Sequence, residues 1–441
     1  MSLFLAINLT YPSLLMLRHL CLVIFLLFAY ATNAQVPTTE IDTVGVDQDS
    51  LSKTRFIKQL GNGYFPTQFL DIDLRYLVKF NQYEGFRTGL GGVTNDAFSA
   101  KYRINSYVVY GFRDHRFKYR IGGGFRVNAP TNTWINLSYT DDLQETGSSD
   151  FITDKRFFSF FEPRLLNINL FHKYITKAVS VEHSISYHLL SETELAISKI
   201  DPTYDYLYRL DGIDYKNWHV STAKIALQWS PYSTYEVKAN DAIVEKEDGY
   251  PKFTLQLTKS FKDVVKGDFN FFKTDFRAIH KFKYNEQSFT EATLTTNIAF
   301  GDAPLSHLYH AYPNNVNKPT IIKRFSVAGI NSFETMFFNE FFSDRLATLQ
   351  LKHYVKPFDI GKRFKPQLVL ISRFALGNMN NIARHQNIDF NTLDRGFSEA
   401  GLEINKLLFG FGLSFAYRYG AYHLPTFEDN LALKFTFNIS L

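Results

Sequence analysis

The C-terminal segment Asn430–Leu441 alternates without exception. Leu431, Leu433, Phe435, Phe437, Ile439 and Leu441 fall on one side of an extended chain, and Ala432, Lys434, Thr436, Asn438 and Ser440 on the other. A period of two excludes an amphipathic helix and predicts a strand. The run is long for a soluble sheet, but roughly 9–11 residues at a tilt of about 45° are what cross a hydrocarbon layer. An open strand edge is untenable in lipid, so a terminal amphipathic strand is expected to pair with the first strand and close a barrel. On this reading Phe435, Phe437, Ile439 and Leu441 form the C-terminal strand that outer-membrane insertion machinery would engage.

The other end of the chain points the same way. Met16-Leu17-Arg18-His19 is a short basic start, Leu20 to Tyr30 is apolar, and Thr32-Asn33-Ala34 offers small residues for cleavage before Gln35. Together these describe a secretory signal over residues 1–34, with Met16 as an alternative true start. The apolar run is shorter than the about 20 residues a membrane anchor needs. Cys21, the only cysteine, lies inside that run behind Leu20, where a lipoprotein site would want a small residue. The mature chain is therefore expected to hold neither thiol nor disulfide, which an oxidising export route tolerates.

Composition narrows the class further. Forty-four Phe and 26 Tyr against 3 Trp bring aromatics to 17%, while mean hydropathy is −0.17. Beyond the signal no stretch approaches the 18 or more apolar residues of a membrane helix. A barrel conceals its membrane character, because lipid-facing and lumen-facing side chains alternate and average out. The roughly 400 residues left after the signal suit one barrel of about 16 strands. A formal charge of +5, from 48 basic and 43 acidic residues spread along the chain, leaves no nucleic-acid footprint.

Residues 35–63 read as a periplasmic lead-in, acidic at first and then mildly helical through Leu51, Arg55, Ile57 and Leu60. From Tyr64 to Leu441 strand-like segments follow one another without a linker, so residues 64–441 are taken as one barrel. Phe117, Tyr119, Ile121, Phe125 and Val127 oppose Lys118, Arg120, Gly122, Gly124 and Arg126. Val181, His183, Ile185, Tyr187 and Leu189 oppose Glu182, Ser184, Ser186 and His188 as one strand. Further alternation runs through Ala223–Trp229, Phe253–Thr258, Leu349–Val355 and Phe411–Gly420. Tight connections are predicted at 94–96, 113–115, 128–130, 230–233 and 285–287. Long ones are predicted at 141–155, 191–217, 239–250, 302–323 and 377–395. In an outer-membrane barrel short turns belong to one end and long loops to the other, and this assignment breaks that alternation around 267–300.

Lys118, Arg120, Arg126, Lys352, Arg418 and Lys434 all fall on polar strand faces, with Glu182 the clearest acid among them. Turned to lipid, each Lys or Arg at the midplane would cost about 2–4 kcal/mol, so the polar faces are assigned to the lumen. A basic lumen would lower the barrier for anionic solutes; the favoured use is that these charges pair with acids from loops and fill a closed interior. Asp344 and Arg345 are adjacent and so point to opposite faces of a strand. They read as an interfacial turn, Asp344 capping backbone and Arg345 snorkelling to headgroups, or as a pair holding a loop or plug. Ser184, Ser186 and His188 share a face, but neighbours two apart sit about 6.6 Å apart along a strand, too far for a nucleophile and its base. No catalytic residue, metal site or cofactor is expected, and Gly122-Gly123-Gly124 lies mid-strand, where glycines permit bending or close packing.

Several stretches resemble a bacterial outer-membrane family of unknown function, commonly found behind a carboxypeptidase-regulatory-like β-sandwich. They are Asn81-Gln82-Tyr83-Glu84-Gly85-Phe86-Arg87 with Gly89-Leu90-Gly91-Gly92, and Tyr110-Gly111-Phe112-Arg113-Asp114 with Phe117-Lys118-Tyr119. Lys266 to Asn270, Asn339 to Arg345, Tyr417 to Gly420 and Glu428 to Asn430 continue the likeness, which spans Gly63 to Leu441. More distantly the family resembles the surface-antigen and outer-membrane assembly-factor barrels, which implies an antiparallel barrel of about 16 strands. The sandwich and the periplasmic client-binding domains are missing here, and 302–323 lacks the Arg-Gly-Phe/Tyr signature of the translocating barrels. The residue patterns and the resemblance together lead to the expectation of an all-β transmembrane antiparallel barrel in the outer membrane, without enzymatic activity, acting as a pore or as a structural or assembly component. Its partners would be outer-membrane lipid, the insertion machinery and a periplasmic protein. Two alternatives stay open: a protein-insertion or translocation barrel without its periplasmic domains, and a barrel enzyme acting on lipid or peptide.

Overall fold

A computed structural model describes residues 56, 59–60, 63–154, 163–237, 243–317, 326–360, 365–408 and 410–437. The leader expected over residues 1–34, most of the lead-in expected over 35–63, Ile439 and Leu441 lie outside them. The wall is built from β1 (Leu70–Asp73), β2 (Val78–Asn81), β3 (Gly85–Thr94), β4 (Tyr102–Gly111), β5 (Arg116–Asn128), β6 (Thr133–Glu145), β7 (Phe171–Ser186), β8 (Leu189–Pro202), β9 (Trp218–Trp229), β10 (Lys252–Ser260), β11 (Phe271–Lys283), β12 (Phe289–Gly301), β13 (Arg345–Tyr354), β14 (Gln367–Asn378), β15 (Phe397–Leu408), β16 (Phe411–Tyr419) and β17 (Leu431–Phe437). β1 and β2 share β3 as partner, separated by the 3-10 turn Leu74–Tyr76. From β3 onward each strand pairs antiparallel with the next in the chain, through to β17. With the short strands Tyr64–Pro66 and Ser326–Val327 this makes one 19-stranded sheet. Among the described residues no ladder joins β17 to β1 or β2; the outer edge of β17 instead pairs in parallel with Ser326–Val327.

Burial along the strands is inverted relative to a soluble protein. In β16, Phe411, Leu413 and Phe415 are exposed while Ser414, Ala416 and Arg418 are buried. In β17, Leu433 and Phe435 are 40% and 43% exposed, and Lys434 between them is 1% exposed. The same face carries Leu90, Val108, Ile121, Leu137, Val179, Leu195, Leu370 and Leu376, all exposed. One apolar stripe of this extent around a sheet is what lipid demands and water penalises.

The connections divide between two ends. One carries 146–170, 203–217, 261–270, 302–344, 379–396 and 420–430, and the other carries 95–101, 129–132, 187–188, 230–251, 284–288, 355–366 and 409–410. Three expectations are corrected by this arrangement. Val181 to Leu189 is not one strand, because the chain reverses at Tyr187-His188 between β7 and β8, after a bulge between Ser184 and Ser186. The turn contains no Gly, Pro or Asn; it is held by its neighbours, with His188 N donating to Ser186 Oγ at 3.3 Å and Ser230 N to the His188 carbonyl at 2.9 Å. Residues 189–202 are strand rather than the start of the long connection expected at 191–217. Finally, the tight turn at 113–115 lies at the long-connection end, and the long 230–251 connection lies at the other, so loop length sorts the two ends only on average.

The long-connection end is capped by an apolar core. Tyr206, Tyr208, Leu210, Trp218, Phe269, Phe271, Leu305, Leu308, Tyr309, Phe333, Phe341, Phe342, Leu393 and Phe397 pack as one buried cluster. It is drawn from the connections around 203–217, 261–270, 302–344 and 379–396 and from the strand ends beneath them.

Candidate functional site

Between β12 and β13 the described residues 302–317 and 326–344 fold into the interior and are gripped by inward side chains of the wall. Lys434 of β17 meets Glu334 at 2.9 Å, both side chains fully buried, and its ammonium also donates to the Asn314 carbonyl. Glu334 accepts in addition from Ser332 Oγ at 2.7 Å, Asn314 Nδ2 at 2.8 Å and Gly329 N at 3.1 Å. Arg418 of β16 forms a fork on Glu340, at 2.7 and 3.1 Å, and lies 4.7 Å from the Phe397 ring centroid. Arg373 of β14 pairs with Glu399 of β15 at 2.6 Å, and the free oxygen of Glu399 takes both the backbone N–H and the hydroxyl of Thr335, at 2.7 and 2.6 Å. On β13, Gln350 donates to the Asn331 carbonyl at 2.7 Å and Lys352 to that of Ile330. Charges this deep persist only when paired and hydrogen-bonded, and here each wall charge is met by the inserted segment or by its anchor.

The described residues 146–154 and 163–170 seat beside the first segment. Arg164 reaches Glu145 at 3.1 Å and the Pro313 carbonyl at 3.0 Å and stacks on Tyr312, while Gln256 of β10 takes the Ile152 N–H at 3.0 Å. Above both, the Leu305 N–H donates to Tyr206 Oη, which is hydrogen-bonded with His385 Nδ1 at 2.7 Å. Burial, with the Arg384 guanidinium nearby, pulls the His385 imidazole down to about 4, which keeps it neutral.

The six basic residues singled out by alternation are dispersed by the fold. Lys352, Arg418 and Lys434 hold the inserted segment as above. Lys118 sits across the interior, at 2.6 Å from Glu84 and 2.5 Å from Asp114. Arg126 lies at the opposite end, over Trp134 and near the Ala129 carbonyl, and Arg120 is half-buried on the same strand. Asp344 accepts from Asn380 N at 2.7 Å and Arg345 donates to Asn380 Oδ1 at 2.8 Å, so the two meet on one residue of the 379–396 connection. Phe435 faces outward and Phe437 is the last described residue of β17. Glu182 pairs with Arg103 and accepts from Asn136 at 3.0 Å. His183 is bound to Thr133 at 2.8 Å and His188 to the Ser230 carbonyl at 3.2 Å, so neither is turned to the serines of that hairpin. Among the described residues no group of three His, Cys, Asp or Glu is arranged to hold a metal.

Sequence reading missed Arg373, Glu399, Glu334, Glu340, Arg164 and Glu145. β14 carries Val369 and Ile371 inward as well as Leu370 and Phe374 outward, which blurs the period of two around Arg373. The acids from 302–344 carry no local signal at all. Two of the family-like stretches, by contrast, converge. Gly85 takes φ +66° in the turn that Asn81 Oδ1 caps through the Tyr83 and Glu84 N–H groups, at 3.0 and 2.8 Å. There Glu84 meets Lys118, and Arg87 forks onto Asp142 at 2.7 and 2.8 Å.

The family described as "Family of unknown function (DUF5686) C-terminal domain" matches residues 67–298, from β1 into β12. The chain belongs to this family. No curated protein matches it. Among solved structures, BamA from Haemophilus ducreyi lacking POTRA domains 1–3 superposes with a TM-score of 0.50 at 8% identity, over 90% of this chain and 79% of that one. CdiB from Acinetobacter baumannii gives 0.41 at 11% identity, over 81% of this chain and 57% of that one. The BamA likeness concerns the fold, and with the ladder order above it makes this a large antiparallel outer-membrane-type β-barrel fold.

Removing the Lys434 charge isolates Glu334 in a dry site. Lys434→Ala is expected to lower stability by about 3–5 kcal/mol and to expose 302–344 to protease in urea titrations of the folded protein. The double substitution Lys434→Met with Glu334→Gln should recover most of that loss; recovery of none would place the stabilisation elsewhere.

Proposed function

We propose that this chain is an integral outer-membrane barrel without enzymatic activity, exported by the leader in residues 1–34, that serves as a structural or assembly component with its own 302–344 segment as stopper. Closure of β17 onto the first wall strand, with β1 and β2 counted as one interrupted strand, would give the about 16 strands expected of this class. The long-connection end would face outward. The observation that carries the reading is the set of buried contacts from Lys434, Arg418 and Glu399 to Glu334, Glu340 and Thr335. They favour a filled interior over an open solute path. In planar bilayers the purified protein should stay electrically silent, and Arg418→Ala with Lys434→Ala should produce opening events. A steady large conductance from the unaltered protein would refute the stopper.

A second reading, protein insertion or translocation, is favoured by one feature. Parallel pairing of Ser326 with Lys434 and Val327 with Phe435 engages only the centre of β17's outer edge, which leaves backbone for another strand to add by β-augmentation. A photocrosslinker at Ala432 should then capture nascent outer-membrane strands in cells; capture of the chain's own first wall strand alone would exclude that role.

A further inference from the structure

The outward face of β4 to β10 holds a groove of ≈ 1810 Å³ that the stopper reading does not use. Its floor is apolar: Ile104, Ile121, Leu137, Val179 and Leu195, with Gly123 leaving a gap in the row where a side chain would meet only the Arg103 carbonyl, at 3.7 Å. At the long-connection end the 261–270 loop overhangs it, presenting Phe261, Val264 and Val265. Val265 is held at φ +44° between Asp263 and Lys266, also left-handed, and its carbonyl is tied to Ser221 Oγ at 3.3 Å. A β-branched residue rarely adopts that backbone, so the loop's shape is imposed rather than relaxed.

Charge decides what the groove accepts. Lys177, Lys259 and Lys262 line it, with Arg103 on the wall behind, and no carboxylate does. Lys177 is exposed and lies directly across from Tyr139, which stacks on Tyr119, so cation and aromatic rings form a girdle at one level of the wall. Lys259 donates to Asn270 Oδ1, holding one end of the loop. Of the loop's two acids, Asp268 is taken by the His219 N–H at 2.6 Å, and the exposed Asp263 is not among the residues that line the groove. The groove exceeds the about 300–1,000 Å³ of a small-molecule pocket, and its greasy floor would be open to the bilayer.

We propose that this groove binds a phosphorylated glycolipid of the outer leaflet, acyl chains along the Ile121–Leu195 floor and phosphates on Lys177, Lys259 and Lys262. It rests on the outer-membrane reading, with the long connections outward, because only that places the lysines at the outer-leaflet headgroup level. A phosphoryl oxygen bearing full charge gains from several ammonium groups at once, which a zwitterionic phospholipid offers less reason to select.

The test is native mass spectrometry of the full chain folded in detergent, given equal amounts of bisphosphorylated lipid A, its dephosphorylated form and phosphatidylethanolamine. Bisphosphorylated lipid A should be retained about tenfold or more over both others, and Lys177→Glu with Lys262→Glu should bring it down to their level. Gly123→Trp, which leaves the charges in place and fills the floor, should weaken all acylated adducts. Equal retention of the dephosphorylated form, or retention unchanged by charge reversal, overturns the proposal. Heat-modifiable migration of the same preparation shows whether a barrel has formed: a barrel without lipid preference defeats the glycolipid site alone, and no barrel defeats the outer-membrane reading with it.

Discussion

The structure depends on a single bargain between alternation and charge. A strand whose alternate residues satisfy lipid must send the intervening ones to one shared interior, and in this chain those residues include Lys434, Arg418, Arg373 and Lys352. Left alone in a narrow lumen, such a group would be costly to bury. The chain resolves this by returning its own 302–344 segment to the same space, so that Glu334, Glu340 and the backbone of Ile330, Asn331 and Thr335 meet the wall. The inserted segment and the cap of aromatic residues above it are thus consequences of the wall's parity as much as additions to it.

The legible part of the fold was whatever obeys a period of two. In β16 and β17 the side chains read as apolar from sequence are those that face outward, and Lys434 and Arg418 are those that face inward. What was not legible depends on paths rather than periods. Glu334 meets Lys434 across a separation of a hundred residues, and nothing local in 302–344 announces it. The reversal at Tyr187-His188 uses no turn residue and rests on Ser186 and Ser230, so it was invisible beside the turns that Asn or Asp signal. β14 hides Arg373 because its inward positions are largely apolar.

The family-like stretches mark where separate pieces of chain meet. Asn81 to Arg87 and Arg113 to Lys118 join at Glu84, and Asn339 to Arg345 reaches Tyr417 to Gly420 through the Glu340–Arg418 fork. These are contacts that hold hairpins and the inserted segment in register. A structural motif of this kind identifies the fold and the way its inserted segment is latched.

The most direct measurement of the account is depth-resolved labelling of β16 and β17. Cys21 is the only cysteine of the sequence, so with Cys21→Ser single cysteines can be placed at Leu413, Phe415, Leu433 and Phe435 and at Ser414, Ala416, Ala432 and Thr436, tagged with a fluorophore and read in brominated-lipid vesicles. The account predicts strong quenching at the first four positions and little at the second four. Uniform quenching, or the opposite parity, would contradict a wall that is greasy outside and polar within.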